Sequence, residues 1–153
     1  SDADFLEKAS DHLKKDKKFI LKAVKINGLA LEYADDSLKK DKEVVLAAMK
    51  ENPRAMMDAD DSLMTDKELV LMGFNCDVEL LDFAADSLKK DRKFILQLVK
   101  KDGFALVYTN NSLKKDKEVV IAAIKENDKA LQFAHKSLWK DPDILAILNK
   151  MKK

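Results

Sequence analysis

Few side chains in this sequence have the types and spacing for bond-making chemistry. The two histidines, His12 and His135, stand 123 residues apart. Neither has a second His or a Cys at the short spacing of a zinc site. Cys76 is the only cysteine. It cannot form an internal disulfide and suits a reducing compartment. It precedes Asp77, where a helix N-terminus would lower a thiol pKa, but a lone thiol without a His partner is usually inert. Carboxylate pairs at Asp35-Asp36 and Asp60-Asp61 are the residue types of acid–base catalysis. Such chemistry needs one unique site, and these pairs recur along the chain. No glycine-rich phosphate loop is present. The remaining option is phosphate contact by the lysine pairs Lys14-Lys15, Lys39-Lys40, Lys89-Lys90 and Lys114-Lys115. The expectation is a non-enzyme with no metal and no cofactor.

The bulk numbers narrow the class further. Twenty-nine Lys and Arg balance 28 Asp and Glu, for a net charge of +1. A dedicated nucleic-acid binder carries a stronger basic excess, so nucleic acid is not the expected partner. A length of 153 residues suits a single domain, 1–153, with a real core. Three Gly and two Pro are too few for many tight turns, which favours helix over sheet. No apolar run approaches a membrane span, and no secretory leader opens the chain. It begins "SDADF" without Met, as a fragment or a processed chain would.

The elements that position these residues come from a repeat. "SLKKDKEVV" stands at Ser37–Val45 and again at Ser112–Val120. The Leu recurs at Leu13, Leu38, Leu63, Leu88, Leu113 and Leu138, and the Asp at Asp16, Asp41, Asp66, Asp91, Asp116 and Asp141. Every step is 25 residues, without insertion or deletion. A second polar column lies eleven residues past each Asp: Asn27, Asn52, Asp77, Asp102 and Asn127. Asn and Asp are strong helix N-caps because the side-chain oxygen accepts from the first-turn N–H groups. Pro53 and Pro142 follow such caps at the first helical position. Each unit is therefore predicted to hold two capped helices: A, about nine residues after the Asn/Asp column, and B, about ten after the Asp of "SLKKD". Helix B carries broad apolar stripes such as Val44-Val45-Leu46 with Ala48-Met49. An Ala column (Ala9, Ala34, Ala59, Ala84, Ala134) would let helices approach closely.

Helices this short are marginal alone, so units must stack and share a core. The predicted fold is all-α: an α-solenoid of six helix-turn-helix repeats, about twelve short helices in a curved or superhelical stack. The units run 4–28, 29–53, 54–78, 79–103, 104–128 and 129–153. Lys8 replaces the aromatic of its column (Tyr33, Phe83, Tyr108, Phe133) and Asn149 replaces an apolar residue, as capping units require; the alternative is interior units of a longer array.

The segments "LALEYADDSLKKDKEVVLAAMKENP" (Leu29–Pro53) and "FALVYTNNSLKKDKEVVIAAIKEND" (Phe104–Asp128) resemble the repeat family catalogued as domain of unknown function 4116. The resemblance covers the whole chain. Arg54–Val78 departs most, with Asp58 at an aromatic position and "MTDKE" for "KKDKE". The resemblance implies a helical repeat module found in large proteins of unicellular eukaryotes and in effectors of intracellular bacteria. It brings no catalytic residues. The lone cysteine sets the expectation of a cytoplasmic, reducing compartment, and the resemblance adds translocation into a host cell if the parent is an effector.

Function in a solenoid resides on exposed columns that vary between units. On helix A one face, spaced i, i+3, i+7, shifts from acidic to basic and is apolar at Leu29, Met57, Phe104 and Val107, with Asn111 beside them. Clustered exposed apolar residues mark interaction sites. The expected role is protein or peptide binding by a monomer, with at most weak self-association. The alternative is polyanion binding, to nucleic acid or phosphoinositide, along the edge of Lys39, Lys40, Lys89, Lys90, Lys114 and Lys115. The acidic pairs beside that edge argue for a solvated surface instead. Methionines crowd Met49–Met72 and are read as gap-fillers of the core before a binding surface.

Overall fold

The computed structural model describes residues 2–153, with side chains from Phe5 onward. Among these residues every regular element is helical, so the chain is an all-α helical-repeat stack. Helix B forms as the cap spacing predicts. Its six examples, each ten residues long, are Lys17–Ile26, Lys42–Glu51, Lys67–Cys76, Arg92–Lys101, Lys117–Glu126 and Pro142–Met151. Each is capped by the Asp of "SLKKD": the Asp16 and Asp116 carboxylates accept from the N–H of Phe19 and Val119 at 3.1 Å.

Helix A is not one helix. In the second unit it is a six-residue 3-10 segment, Gly28–Tyr33, followed by a separate one-turn α-helix, Asp36–Lys39. The same division recurs at Gly103–Tyr108 and Asn111–Lys114. The break falls on the small column. Ala34, Ala59 and Ala84 are extended, with ψ of 152°, 151° and 149°. The cause is local. Asp35 accepts from both the N–H (3.0 Å) and the hydroxyl (2.7 Å) of Ser37, and Asn110 holds Ser112 in the same way. An Asx side chain that bonds two residues ahead starts a new cap and competes with continued helix. The Ser of the repeat is therefore a partner of that cap.

The chain falls into two compact units, Ser1–Ala84 and Ala85–Lys153. In the first, the long helices Lys17–Ile26 and Lys42–Glu51 lie against each other and against the 3-10 segments Gly28–Tyr33 and Pro53–Asp58. Ile20, Leu31, Val45, Met49, Met56 and Leu69 are fully buried there. In the second, Arg92–Lys101 and Lys117–Glu126 repeat the arrangement around Ile95, Leu98, Leu106 and Ile124. Within each unit successive repeats are joined by the backbone. The Asp35 N–H donates to the Lys14 carbonyl at 3.0 Å and Asp60 to Lys39 at 3.0 Å; Asn110 donates to Lys89 at 3.0 Å and His135 to Lys114 at 2.9 Å.

The divergent third repeat adjusts its core with methionine. Met49, Met56 and Met64 are buried, and Met64 takes the interior place that Leu38 holds one repeat earlier, while Leu63 is only half-buried. Gly73 makes room for Met56: a Cβ at Gly73 would collide with the Met56 sulfur.

Candidate functional site

The stripe spaced i, i+3, i+7 is interrupted by the extended residue that ends each 3-10 segment. Phe104 and Val107 lie three apart on the 3-10 segment Gly103–Tyr108, where a period of three aligns them. Asn111 opens the next element. Phe104 is half-buried and packs edge-on against Phe133, centroids 5.7 Å apart at 74°. Val107 is also half-buried, and Asn111 is exposed. In the first compact unit, Leu29 is 40% and Met57 51% exposed. Arg54, on the same predicted face, donates to the cap carboxylate of Asp77 at 2.6 Å.

The lysine pairs close the one-turn helices. The first of each pair, at Lys39, Lys89 and Lys114, is half-buried and lends its carbonyl to the backbone link between repeats. The second, at Lys40, Lys90 and Lys115, is exposed. In the first compact unit the neighbouring acids temper this edge. The Asp35 carboxyl is held below the usual carboxylate range mainly by Ser37, with Lys15 adding to it. Asp60 is lowered mainly by Ser62, with Lys40 adding to it.

Spacing alone did not expose a third pattern. At four repeats the residue after the "SLKKD" Asp reaches the next repeat. The Lys17 ammonium sits 2.8 Å from Asp41 and 2.7 Å from Glu43, and Lys42 sits 2.7 Å from Asp66 and 3.1 Å from Glu68. Arg92 holds Asp116 at 2.7 Å and pairs with Glu118. Lys117 holds Asp141 at 3.1 Å and pairs with Asp143. Asp41 and Asp116 are lowered chiefly by Lys17 and Arg92. The cue in the sequence was an offset, a base at one position and an acid 24 or 26 residues on.

Lys25, Lys50, Lys100 and Lys125 have no ion-pair partner among the described residues. Between the first two long helices lies a groove of about 470 Å³, floored by Leu21, Leu46 and Ala47 and rimmed by Lys25 and Lys50. Its equivalent 75 residues on, about 380 Å³, is floored by Leu96, Ile121 and Ala122 and rimmed by Lys100 and Lys125. The acids beside them are engaged. Glu43 and Glu118 belong to the forks, and Glu51 and Glu126 accept from the N–H groups of Gly28 and Gly103.

A shallow hollow of about 640 Å³ gathers Asn111, Lys114 and Lys115 with His135, Lys136 and Trp139. It joins members of both sequence-predicted sets. Cys76 is exposed at the last position of the long helix Lys67–Cys76, one residue before Asp77, which caps the 3-10 segment Val78–Phe83. Among the described residues no group of three or more His, Cys, Asp or Glu is arranged to hold a metal, and no helix is long and apolar enough to cross a membrane.

A family model described as domain of unknown function (DUF4116) matches residues 1–39, 16–64, 66–114 and 91–139. Three of the four matches begin at the capping Asp of a long helix, Asp16, Asp66 or Asp91, and each of these spans close to two repeats. No curated protein and no solved structure matches the chain. With matches across almost its whole length, the chain belongs to the DUF4116 repeat family.

Proposed function

We propose that this chain is a non-catalytic helical-repeat scaffold that binds segments of other proteins. The observation that carries the reading is the pair of equivalent grooves on the long helices, each with an apolar floor and two lysines whose neighbouring carboxylates are already engaged. A rim bearing two lysines over an apolar floor complements a peptide that alternates acidic and aliphatic residues. Leu29 and Met57 extend the apolar surface open to a partner in the first compact unit. The setting that fits is a module of a larger protein, such as a bacterial effector, working in the cytosol, where an exposed thiol at Cys76 stays reduced.

A displayed peptide library selected on the chain tests this reading. Enriched peptides should combine Asp or Glu with Leu or Ile and lose binding to a Lys50→Glu, Lys125→Glu variant that keeps its helical circular dichroism. No enrichment, or enriched peptides indifferent to the charge reversal, refutes it.

A further inference from the structure

The hollow at Asn111, Lys114 and Lys115 differs from the grooves in kind. Its lining includes Lys114, Lys115, Lys136 and His135, and no carboxylate. None of the three lysines has an ion-pair partner among the described residues. The repeat supplies an internal control. Seventy-five residues earlier the same positions hold Asp36 for Asn111, Asp58 for Phe133, Asp60 for His135 and Asp61 for Lys136. One backbone site thus carries four carboxylates in the first compact unit and none in the second. Burial, with Glu32 nearby, pushes the Asp58 carboxyl up. Lys40 adds to the lowering of the Asp60 carboxyl, whereas the position equivalent to Asp60 beside Lys115 is His135.

The hollow also holds an aromatic platform. Trp139 replaces the buried Met64 of the earlier repeat and is 40% exposed. Its indole N–H donates to the Ala134 carbonyl at 3.0 Å, which fixes the ring. Phe133 lines the same wall and is braced by Phe104. His135 is ordered too: its Nδ1 accepts from the Ser137 N–H at 3.2 Å, so Nε2 carries the ring proton and is a donor. Lysines without carboxylates favour phosphate over a neutral ligand, and a fixed indole favours a planar base over an aliphatic one.

We propose that this hollow binds a nucleotide unit, with the base stacked on Trp139 and the phosphate held by Lys114, Lys115 and Lys136. The near-neutral charge of the whole chain does not oppose this, because screening confines the relevant charge to about a Debye length. The ligand is either a free nucleotide or one residue of a single strand, and the chemistry is the same.

Trp139 is the only tryptophan, so its fluorescence reports on this site alone. The experiment titrates the intact chain with oligo(dT), with uridine monophosphate, and with inositol hexakisphosphate, following tryptophan quenching and the anisotropy of a labelled strand. Oligo(dT) should quench and bind with a salt-dependent affinity. Uridine monophosphate quenching with comparable affinity assigns a free nucleotide; quenching by the strand alone assigns a single strand. Trp139→Met, the residue of the earlier repeat, should weaken binding at least ~5-fold, and Trp139→Phe should restore most of it. Lys136→Asp should weaken binding and flatten the salt dependence by about one unit of slope or more. The proposal fails if no nucleotide binds. It also fails if Trp139→Met and Lys136→Asp, folded by circular dichroism, bind as the parent does. Inositol hexakisphosphate binding as tightly as the strand overturns the base-specific assignment.

Discussion

Substituting Gly28 by Ala tests how closely the repeats pack. Gly28 shows no positive φ, so the usual conformational reason for glycine is absent. The reason is contact. A Cβ there would overlap the carbonyl oxygen of Ala48, in the last turn of the next long helix, and would lie 2.9 Å from a Glu51 carboxylate oxygen and 3.0 Å from the Asn52 nitrogen. Two of these three atoms are backbone and cannot swing aside. The segment must retreat from the helix end, which also loosens the bond from the Gly28 N–H to Glu51. Overpacking of this kind costs about 1–3 kcal/mol, against about 0.4–1 kcal/mol gained by restricting the unfolded chain. The net is a loss of up to about 2.6 kcal/mol, or a Tm lower by about 5–10 °C at that limit. Gly73→Ala is the control. It sits inside a long helix, where Ala gains about 1 kcal/mol over Gly, and the atom in the way is the flexible Met56 thioether. Its effect should stay within about 1 kcal/mol of neutral. Thermal and urea unfolding of the two variants, beside the parent, make the comparison. The reasoning is refuted if Gly28→Ala is as stable as the parent, or if Gly73→Ala loses as much as Gly28→Ala.

Further predictions concern charge and the end of the stack. The Asp58 carboxyl is pushed up by burial, so its ionised form costs stability near neutral pH, and the cost fades as pH falls through the folded value. Asp58→Asn should therefore raise Tm at pH 7 by roughly 1–2 °C and have no such effect near pH 3, as a pair of melting curves will show. Asp116 has the opposite sign: Arg92 and the helix N–H groups lower it, so its contribution is present above about pH 4 and lost as pH falls through its depressed value. Asp116→Ala should cost about 1 kcal/mol through the lost cap at neutral pH and less on the acid limb, measured by urea unfolding across pH. Ile95 is fully buried, whereas Leu145, fifty residues on in the same column, is 41% exposed at the last repeat. Ile95→Ala should cost about 2–5 kcal/mol, and Leu145→Ala about 1 kcal/mol or less; equal losses would show that this column does not face the following repeat.

The comparison of repeats shows where sequence reasoning was strong. Caps are local: an Asp or Asn accepts from an N–H two or three residues away, so the columns at Asp16 and Asn27 located the long helices and the starts of the 3-10 segments. The same locality was missed once. The pair Asp35-Asp36 was read as solvated surface, yet Asp35 bonds Ser37 and caps the one-turn helix that follows the break in helix A. The candidate face suffered for it, since Phe104 and Asn111 ended on different elements.

What the sequence by itself determined is the 25-residue period, the six long helices and the family, because each rests on residues close together in the chain or on the recurrence of the pattern. Only the tertiary structure decided which charges are engaged. Lys17 and Glu43 are 26 residues apart, and a residue count cannot show that one satisfies the other. The same holds for Gly28, whose constraint is a carbonyl twenty residues on. The lysine edge looked uniform as a column. Folding gave Lys40 an aspartate neighbour in Asp60 and set Lys115 in a carboxylate-free hollow beside His135, Lys136 and Trp139, because local electrostatics depends on the neighbours that stacking supplies.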